Sequence, residues 1–380
     1  MAMSEGSLRI APARTRLGRF AGAAAAMAGY KVRRGLGVSA GVLEQAAEKS
    51  WEISPGIDER HVPIYIPESH FRRILRSSPP SQPVAELIAA IRGERHQGAA
   101  TRAFLLRDAL LFRQHVYCGR YRGDLYSTLD WRAAWRAEMA ETAHSVLAST
   151  YSGARWFGHF LHDELPLQEL VASLGDGVGH LRRIFKHEPG WRAALGVPAP
   201  PSYAVLRARE LIWIDDRGQN PTKRKRYEAM RSRLNALPRG HERVFLRRPS
   251  SGGEERQIVN IAEVEERLVR EGFHVVETGE MTVDEMLRQC AGASMVVSIE
   301  GSHAAPAYYF ARRQGCILYI YPPGRVSVQM PRLAGFYGQV GAMFIGQPVD
   351  GSDTDFRVDP EELVREIDRA AEFATQQPPA

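Results

Sequence analysis

Cysteine is scarce in this chain, and its distribution excludes two kinds of architecture. Cys118, Cys290 and Cys316 are the three cysteines among 380 residues, and no two of them form a Cys-x-x-Cys pair. Three widely separated cysteines provide neither a disulfide framework nor the usual four-ligand zinc site. Cys290 and Cys316 lie in apolar segments, so we expect both to be small core residues. The pattern suits a reducing cytosol.

Long apolar runs and several cofactor or nucleic-acid motifs are also missing. No stretch of about 18 or more apolar residues occurs, which argues against a transmembrane helix. No Gly-x-Gly-x-x-Gly motif follows a predicted strand, which argues against an NAD-dependent oxidoreductase. No basic run alternates with aromatic residues, and no zinc-finger or RNA-recognition pattern occurs. Nucleic acid is therefore not an expected partner.

The residues that are present give an ordinary globular composition with a basic excess. The chain is 44% hydrophobic and 25% charged, and its 380 residues are sufficient for two domains. The formal net charge is +6 at pH 7. This balance favours anionic partners, among them nucleotides and sugar diphosphates.

An alanine-rich segment over residues 20–30 is flanked on both sides by basic residues. It is weakly hydrophobic and basic at both ends, unlike a typical signal peptide. Two interpretations remain, a mobile or surface helix or a helix that rests on an anionic membrane face. We therefore expect a cytoplasmic protein, and in the second case one at the inner face of the cell membrane.

Breaks in the pattern divide the chain into four predicted regions. These are a peripheral segment (1–60), an α/β domain (61–238), a Rossmann-like domain (239–350), and a C-terminal helix and tail (351–380). Residues 103–112 predict a hairpin of two strands that turns at Arg107-Asp108. Residues 156–174 predict a helix, because apolar residues recur at helical spacing.

The Rossmann-like domain is predicted from strictly alternating elements. Apolar strands over residues 244–246, 273–277, 294–299 and 316–321 alternate with helices over 261–271, 282–291 and 304–313. Because these strands lack a polar face, we expect a parallel sheet covered on both sides. Thr282 and Glu285 form a capping box. Asn260 and Glu263 are interpreted as a variant of the same box at the start of the first helix.

Two segments together resemble the DUF563 / family 61 glycosyltransferases. The first is Trp156-Phe157-Gly158-His159-Phe160-Leu161-His162-Asp163-Glu164-Leu165-Pro166. The second begins at Phe245-Leu246-Arg247-Arg248, continues through Arg256, Asn260, Glu263 and Gly272-Phe273, and ends in Glu300-Gly301-Ser302-His303. Many members have His-Gly-Ala at the last turn, where this chain has Glu300 in place of the histidine.

The resemblance implies a GT-B-like α/β fold with two Rossmann-like domains and a ligand cleft between them. It further implies an inverting transfer of a sugar from a nucleotide-sugar donor to a saccharide acceptor, in bacterial capsule, exopolysaccharide or lipopolysaccharide synthesis. The region over 61–238 would then be the acceptor side, and 239–350 would bind the donor. No metal and no cofactor are expected.

Candidate donor-binding residues follow two strands of the Rossmann-like domain. Arg247 and Arg248 could clamp a diphosphate, or form surface ion pairs with Glu254 or Glu255. The loop over residues 250–253 and the turn at Gly301, Ser302 and His303 could bring backbone amides to a phosphate, or Ser302 could simply cap a helix. Glu300 is interpreted as a hydroxyl acceptor or as an arginine partner. Arg256 joins this set, and Asn260 and Glu263 are supporting residues.

Candidate catalytic residues lie on one predicted helix. His159 and Asp163 are four residues apart and therefore share a helix face. Either could take the proton of the acceptor hydroxyl, with the other as its partner. A metal site at this pair is a minor option, because no third ligand follows at a fixed spacing. The alternative function is a non-catalytic scaffold for polysaccharide assembly, or one associated with a membrane.

Overall fold

The structure of the chain is a computed structural model that describes residues 28, 31–32, 42–60, 63–93, 95–248 and 256–377. Apart from Ala28, the alanine-rich segment over residues 20–30 lies outside this description, as does the loop over 250–253. The protein has a mixed α/β fold, as predicted. Within the described ranges, no helix has the length and apolar character needed to cross a membrane.

The chain forms two compact units, neither of which is continuous in sequence. Unit 1 comprises the described residues up to Ile57 together with Gly98–Arg192 and Val197–Arg226. Unit 2 comprises the described residues of Asp58–Gln97, Ala193–Gly196, and the described residues from Tyr227 onward. The predicted GT-B arrangement concerns both units together and stays a prediction.

The strands and helices are numbered here in chain order. The strands are β1 Lys49–Ser54, β2 Ile57–Arg60, β3 Arg95–Gly98, β4 Thr101–Phe112, β5 His115–Cys118, β6 Tyr121–Asp124, β7 Ala140–Leu147, β8 Gly177–His180, β9 Ser202–Tyr203, β10 Val205–Asp215, β11 Arg243–Arg247, β12 His274–Glu277, β13 Met295–Ile299, β14 Cys316–Tyr321, β15 Val340–Ile345, β16 Gln347–Val349 and β17 Ser352–Arg357. The α-helices are α1 Val84–Arg92, α2 Trp131–Arg136, α3 Tyr151–Arg155, α4 Phe157–His159, α5 Leu165–Leu174, α6 Glu188–Leu195, α7 Pro221–Ser232, α8 Ile261–Arg270, α9 Val283–Cys290, α10 Ala307–Phe310, α11 Gln329–Phe336 and α12 Pro360–Thr375.

Unit 1 is built on a mixed sheet in the order β6-β5-β4-β10-β7-β8-β9, with β1 paired to β4. The neighbours β6-β5, β5-β4 and β4-β10 pair antiparallel. The neighbours β10-β7, β7-β8 and β8-β9 pair parallel. The hairpin predicted at Arg107-Asp108 is wrong. Strand β4 continues through both residues and pairs with β10 on either side of Asp108, which has a φ of +50°. A polar pair on an exposed strand resembles a turn in sequence.

Unit 2 contains a five-stranded sheet in the order β12-β11-β13-β14-β15, and every pair in it is parallel. This confirms the parallel sheet predicted from the apolar strands. Strands β13, β14 and β15 are buried along their whole length. Helix α12 packs against β14, β15 and α8. Cys290 and Cys316 are buried in this unit, as expected.

Of the two helix caps predicted in unit 2, one is confirmed and one is wrong. The hydroxyl of Thr282 accepts a hydrogen bond from the Glu285 amide, and the Glu285 carboxylate accepts one from the Thr282 amide, so the capping box is confirmed. Asn260 precedes α8 but makes no capping hydrogen bond with its side chain. Its amide group instead exchanges two hydrogen bonds with the backbone of Val358, at 2.8 and 3.1 Å. This distant partner cannot be read from the local sequence.

Removing the Thr282 hydroxyl tests how much the capping box contributes to the stability of the protein. We expect Thr282→Ala to lower the free energy of unfolding by about 1 kcal/mol, because one amide at the start of α9 loses its acceptor. Urea unfolding followed by circular dichroism measures the change. Thr375→Ala is the control, since Thr375 lies at the end of α12 and its hydroxyl donates only within that helix. An equal loss in both variants would contradict the assignment.

Candidate active site

The helix that carries the predicted catalytic residues contains a π-helical segment, Phe160–Glu164, between α4 and α5. The Leu165 amide donates to the carbonyl of Phe160, which is the i→i+5 bond of a π turn. Phe160, Leu161 and Leu165 are fully buried and fix this segment in the core of unit 1. Segments of this kind are frequent at functional sites.

His159 and Asp163 form the predicted pair. The Nδ1 atom of His159 lies 2.7 Å from Oδ2 of Asp163, and Nδ1 of His162 lies 3.2 Å from the same oxygen. An ionised carboxylate accepts hydrogen bonds only, so Nδ1 of His159 carries a proton, and in the neutral imidazole Nε2 is then the acceptor nitrogen. Burial lowers the pKa of His162, although Asp163 opposes the shift, so His162 is neutral near pH 7.

Lys223 completes this cluster and was not predicted. Its side chain is fully buried, and Nζ donates to Oδ1 of Asp163 at 2.8 Å and to the carbonyl of Asp216 at 3.0 Å. Asp216 is itself held by Arg226, whose guanidinium donates to both carboxylate oxygens at 2.9 and 2.8 Å. Helix α7 has four consecutive basic residues, 223–226, so charge alone does not distinguish Lys223 from its neighbours in the sequence.

The Asp163 carboxylate is ionised because its partners outweigh its burial. Burial alone would raise the pKa of Asp163, but the Lys223 ammonium and the two imidazoles hold it well below its ordinary value of 3.8. An Asp with so low a pKa is a poor proton acceptor near neutral pH. It is well suited to orient His159 and to stabilise that imidazole once it is protonated.

A metal ion is the other group that this cluster could hold. One ligand atom from each of His159, His162 and Asp163 lies within 4.8 Å of the others. Such a set is the minimum for a zinc-like site. However, the ammonium of Lys223 already neutralises Asp163 and would repel a divalent cation.

Glu164 fixes the position of this helix within unit 1. It is 1% exposed, and its carboxylate accepts hydrogen bonds from the Thr150 amide at 3.2 Å and from Arg182 at 2.8 Å. Burial raises the pKa of Glu164 even though Arg182 opposes the shift. A Cβ atom on Gly153 would lie 2.5 Å from Cβ of Glu164, so only glycine fits there. Helix α3 is thereby tied to the π segment.

In unit 2, the structure brings together four residues predicted to bind the donor. Arg248 and Arg256 each donate from Nη1 to the carbonyl oxygen of Glu300, at 3.2 and 3.3 Å. Arg256 also pairs with the Glu300 carboxylate. Gly301 follows with a φ of +144°, and a Cβ atom there would lie 2.6 Å from Nη1 of Arg248. The turn therefore requires glycine and holds two guanidinium groups beside it.

His303 adds a neutral group to this turn. Burial, with Arg248 and Arg256 nearby, lowers the pKa of His303 to about 3. Its Nε2 lies 3.1 Å from the hydroxyl of Ser298. The proposed capping role of Ser302 is wrong, because the short 3-10 helix Ser302–Ala304 has no side-chain cap and Gly301 stands at its N-cap position. A part in ligand binding stays a prediction for both residues.

Arg325 and Tyr321 also belong to this cluster and were not predicted. The Nε atom of Arg325 lies 3.4 Å from the Glu300 carboxylate. Tyr321 is fully buried, and burial and the nearby Glu300 charge raise the pKa of its hydroxyl well above its ordinary value. Strand β14 ends at Tyr321, at the same sheet edge as β11 and β13, so the rule for open α/β sheets would have indicated this region.

The other residues predicted to bind or support the donor, Arg247, Asn260 and Glu263, contact different groups. Arg247 ends β11, and its guanidinium pairs with Glu265 and Glu277. The predicted partners Glu254 and Glu255 lie outside the described residues. Glu263 accepts a hydrogen bond from Asn260 at 3.0 Å. A contact between the donor and Arg247, Asn260 or Glu263 stays a prediction.

Residues 157–318 match the family model described as Glycosyltransferase 61. This part of the chain is therefore similar to glycosyltransferase family 61. The matched range contains both predicted groups, His159 with Asp163 and the turn that begins at Glu300, and also Lys223. Arg325 lies outside the matched range. The family indicates glycosyltransferase activity, which requires a donor and an acceptor. No curated protein matches the chain.

The buried carboxylate of Asp163 predicts a specific dependence of stability on pH. The pKa of Asp163 is lower in the folded than in the unfolded protein, so the stabilisation is present above pH 4 and is lost as pH falls through the folded value. We expect Asp163→Asn to lower the free energy of unfolding at pH 7 by about 3 kcal/mol or more, because Lys223 keeps a buried charge without a partner.

Denaturant unfolding between pH 2 and pH 7 measures this effect. The difference between the wild type and Asp163→Asn should shrink as pH falls below about 4, because the unfolded wild type then takes up a proton. Asp108→Asn is the control, since the Asp108 side chain is 72% exposed. A difference for Asp163→Asn that does not change with pH would contradict the assignment.

Proposed function

We propose that this protein is an inverting glycosyltransferase that moves a sugar from a nucleotide-sugar donor to a saccharide acceptor, in the synthesis of a bacterial capsule, exopolysaccharide or lipopolysaccharide. The match of residues 157–318 to the family model supports the general activity. The observation that carries the proposal is the meeting of Arg248 and Arg256 at the Gly301 turn. This turn lies at the carboxyl edge of a parallel sheet, where open α/β folds bind their ligands.

The donor's diphosphate is the part that this turn would recognise. Guanidinium groups bind phosphate oxygens through paired hydrogen bonds and remain charged at any physiological pH. Glu300 acts here as the arginine partner, since it holds Arg256 and Arg325 in place. Gly301 allows a phosphate to approach the backbone, and the hydroxyl of Ser302 is available as a further donor. His303 is neutral, so it can offer a hydrogen bond but no charge.

The reaction itself is a single displacement at the anomeric carbon. The base takes the proton of the acceptor hydroxyl while that oxygen forms a bond to the anomeric carbon. The bond between this carbon and the diphosphate oxygen breaks, and the nucleoside diphosphate leaves with the electron pair. The sugar is therefore transferred with inversion, and the arginines stabilise the charge that develops on the leaving group.

His159 is the proposed base, and Asp163 is its orienting partner. The hydrogen bond of 2.7 Å from Nδ1 of His159 to Asp163 leaves Nε2 to accept a proton. Asp163 stays ionised because its pKa is held low, so it stabilises the imidazolium that forms. Lys223 keeps that carboxylate charged and positioned.

The proposed reaction uses no metal and no cofactor beyond the donor. The arginines supply the positive charge that a metal would otherwise supply at the diphosphate. The cytoplasm is the proposed location, since nucleotide-sugars are its substrates. A contact of the basic N-terminal segment with the inner membrane face belongs to the same proposal, and nucleic acid is not a proposed partner.

Nucleoside diphosphate binding tests the donor site. We expect one of UDP, GDP or dTDP to stabilise the wild type by about 2.7 kcal/mol at a concentration one hundred times its Kd. Gly301→Ala should abolish this stabilisation, because the new Cβ displaces Arg248. Thermal unfolding with and without each ligand, and with and without a divalent metal, measures both effects.

Gly272→Ala is the matched control for this experiment. Gly272 also has a positive φ, of +78°, but a Cβ atom there would meet no other atom within 4 Å. The variant should therefore bear the same kind of backbone strain and still respond to the diphosphate. A flat response from the folded wild type would contradict the donor site and favour the scaffold function.

Removing the base tests the chemical step. We expect His159→Gln to lower kcat by about 100-fold to 10,000-fold, because no group takes the acceptor proton. Donor binding should be unchanged. His187→Gln is the control, since His187 also lies in unit 1 and its ring packs against Phe157, at 6.1 Å between centroids. Product formation from radiolabelled donor gives kcat, and a His159→Gln variant with wild-type kcat would exclude His159 as the base.

A further inference from the structure

Unit 1 carries three partly exposed aromatic rings and one arginine beside His159. The group consists of Tyr126, Tyr151, Arg155 and Trp156, and we refer to it as the aromatic platform. Tyr151 is 38% exposed and Trp156 is 41% exposed. The Trp156 ring lies 5.5 Å from the His159 ring, centroid to centroid. Large apolar side chains that share one exposed surface indicate a binding site more often than a single exposed one does.

The rings of the platform are arranged edge to face. Tyr126 and Tyr151 lie 6.1 Å apart and Tyr151 and Trp156 lie 6.3 Å apart, both in T-shaped geometry. The guanidinium of Arg155 lies 4.6 Å from the Trp156 centroid, and its Nη1 donates to the Tyr151 hydroxyl at 2.8 Å. These contacts hold the four side chains in one arrangement while part of the surface stays accessible to solvent.

The platform and the proposed base share one support. Tyr151 begins α3, whose N-cap Thr150 accepts a hydrogen bond from Gly153 and donates its own amide to Glu164. Glu164 directly follows Asp163. Tyr126 is anchored separately, because its carbonyl accepts a hydrogen bond of 2.6 Å from the buried His180. The platform is thus pre-positioned beside His159, which is what a binding site for a reacting group requires.

Arg155 gives the platform a positive charge. The side chain is exposed, and its contacts are the three rings and the Tyr151 hydroxyl. Within the described part of the chain, no carboxylate forms an ion pair with it. A guanidinium in this state is available to a carboxylate or phosphate group of a ligand.

We propose that the aromatic platform binds the acceptor saccharide, and that this acceptor carries an acidic group that pairs with Arg155. A sugar ring has an apolar C–H face, which packs on an exposed aromatic face, and a polar edge of hydroxyl groups. His159, which lies beside the platform, then accepts the proton of one of these hydroxyls. This proposal rests on the proposed transferase function, and it adds the acceptor's site and its chemical class.

Isothermal titration calorimetry on the intact protein without donor tests the proposal. The probes are short oligomers of glucuronic acid and of galacturonic acid, each beside its carboxyl-reduced neutral counterpart. The wild type should bind at least one acidic oligomer more tightly than its neutral counterpart. Trp156→Ala should weaken this binding about tenfold. Arg155→Met should remove the preference for the acidic oligomer and leave the binding of the neutral one.

Trp131→Ala is the matched control. Trp131 is 52% exposed and has Arg132 over its ring at 5.5 Å, but it lies on α2. It should leave the binding of every oligomer unchanged. An equal loss in Trp131→Ala and Trp156→Ala would overturn the proposal, and so would the absence of saturable binding by every acidic oligomer. Self-association that Trp156→Ala abolishes, without a change in oligomer binding, would identify the platform as an interface between copies of the chain.

Two further outcomes separate this proposal from the proposed function. Stabilisation by a nucleoside diphosphate, without binding of any acidic oligomer, would overturn the assignment of the platform and leave the transferase intact. Binding of an acidic oligomer that depends on Trp156, without a response to any nucleoside diphosphate, would overturn the transferase and leave a saccharide-binding surface.

Discussion

The charge on Asp163 is the constraint on which the arrangement of unit 1 depends. One carboxylate oxygen accepts from Lys223 and the other from His159. A buried carboxylate is tolerated only when its charge and its lone pairs are matched, so α7 and the π segment must meet at this point. The same carboxylate fixes the tautomer of His159. One ion pair therefore connects the packing of the unit with the protonation state of its proposed base.

Unit 2 achieves a comparable effect with a backbone carbonyl beside a buried ion pair, Arg256 with Glu300. The carbonyl of Glu300 accepts from two guanidinium groups, and the absence of a side chain at Gly301 leaves room for one of them. The turn directly follows strand β13 and therefore lies at the sheet edge. The hydrophobic core that fixes β13 thus also positions the polar cluster. Both units thus hold charged side chains on well-packed elements, within the π segment in unit 1 and at the end of a strand in unit 2, where the core determines their geometry.

The sequence predicts those features that depend on neighbouring residues. Uninterrupted apolar strands predict the parallel sheet, and the spacing of Thr282 and Glu285 predicts the capping box. The failures involve partners that are distant in the chain. Asn260 has the spacing of a cap, yet it binds the backbone at Val358, 98 residues away. Lys223 lies in a uniformly basic segment, and only the tertiary position of Asp163 distinguishes it. Arg107 and Asp108 resemble a turn because the local sequence does not show that β4 pairs with β10.

The π segment makes unit 1 unusually sensitive to insertions and deletions. A π turn holds one residue more than an α turn, so the residues before and after it face directions that a continuous α-helix would not give them. Loss of Leu161 or His162 would remove the extra residue of the π turn and rotate His159 and Trp156 together relative to Asp163 and Glu164. A single-codon deletion at either position would therefore change the geometry between the base and its partner without altering the identity of either. A chain of different length at this position would present a different helix face to its substrates.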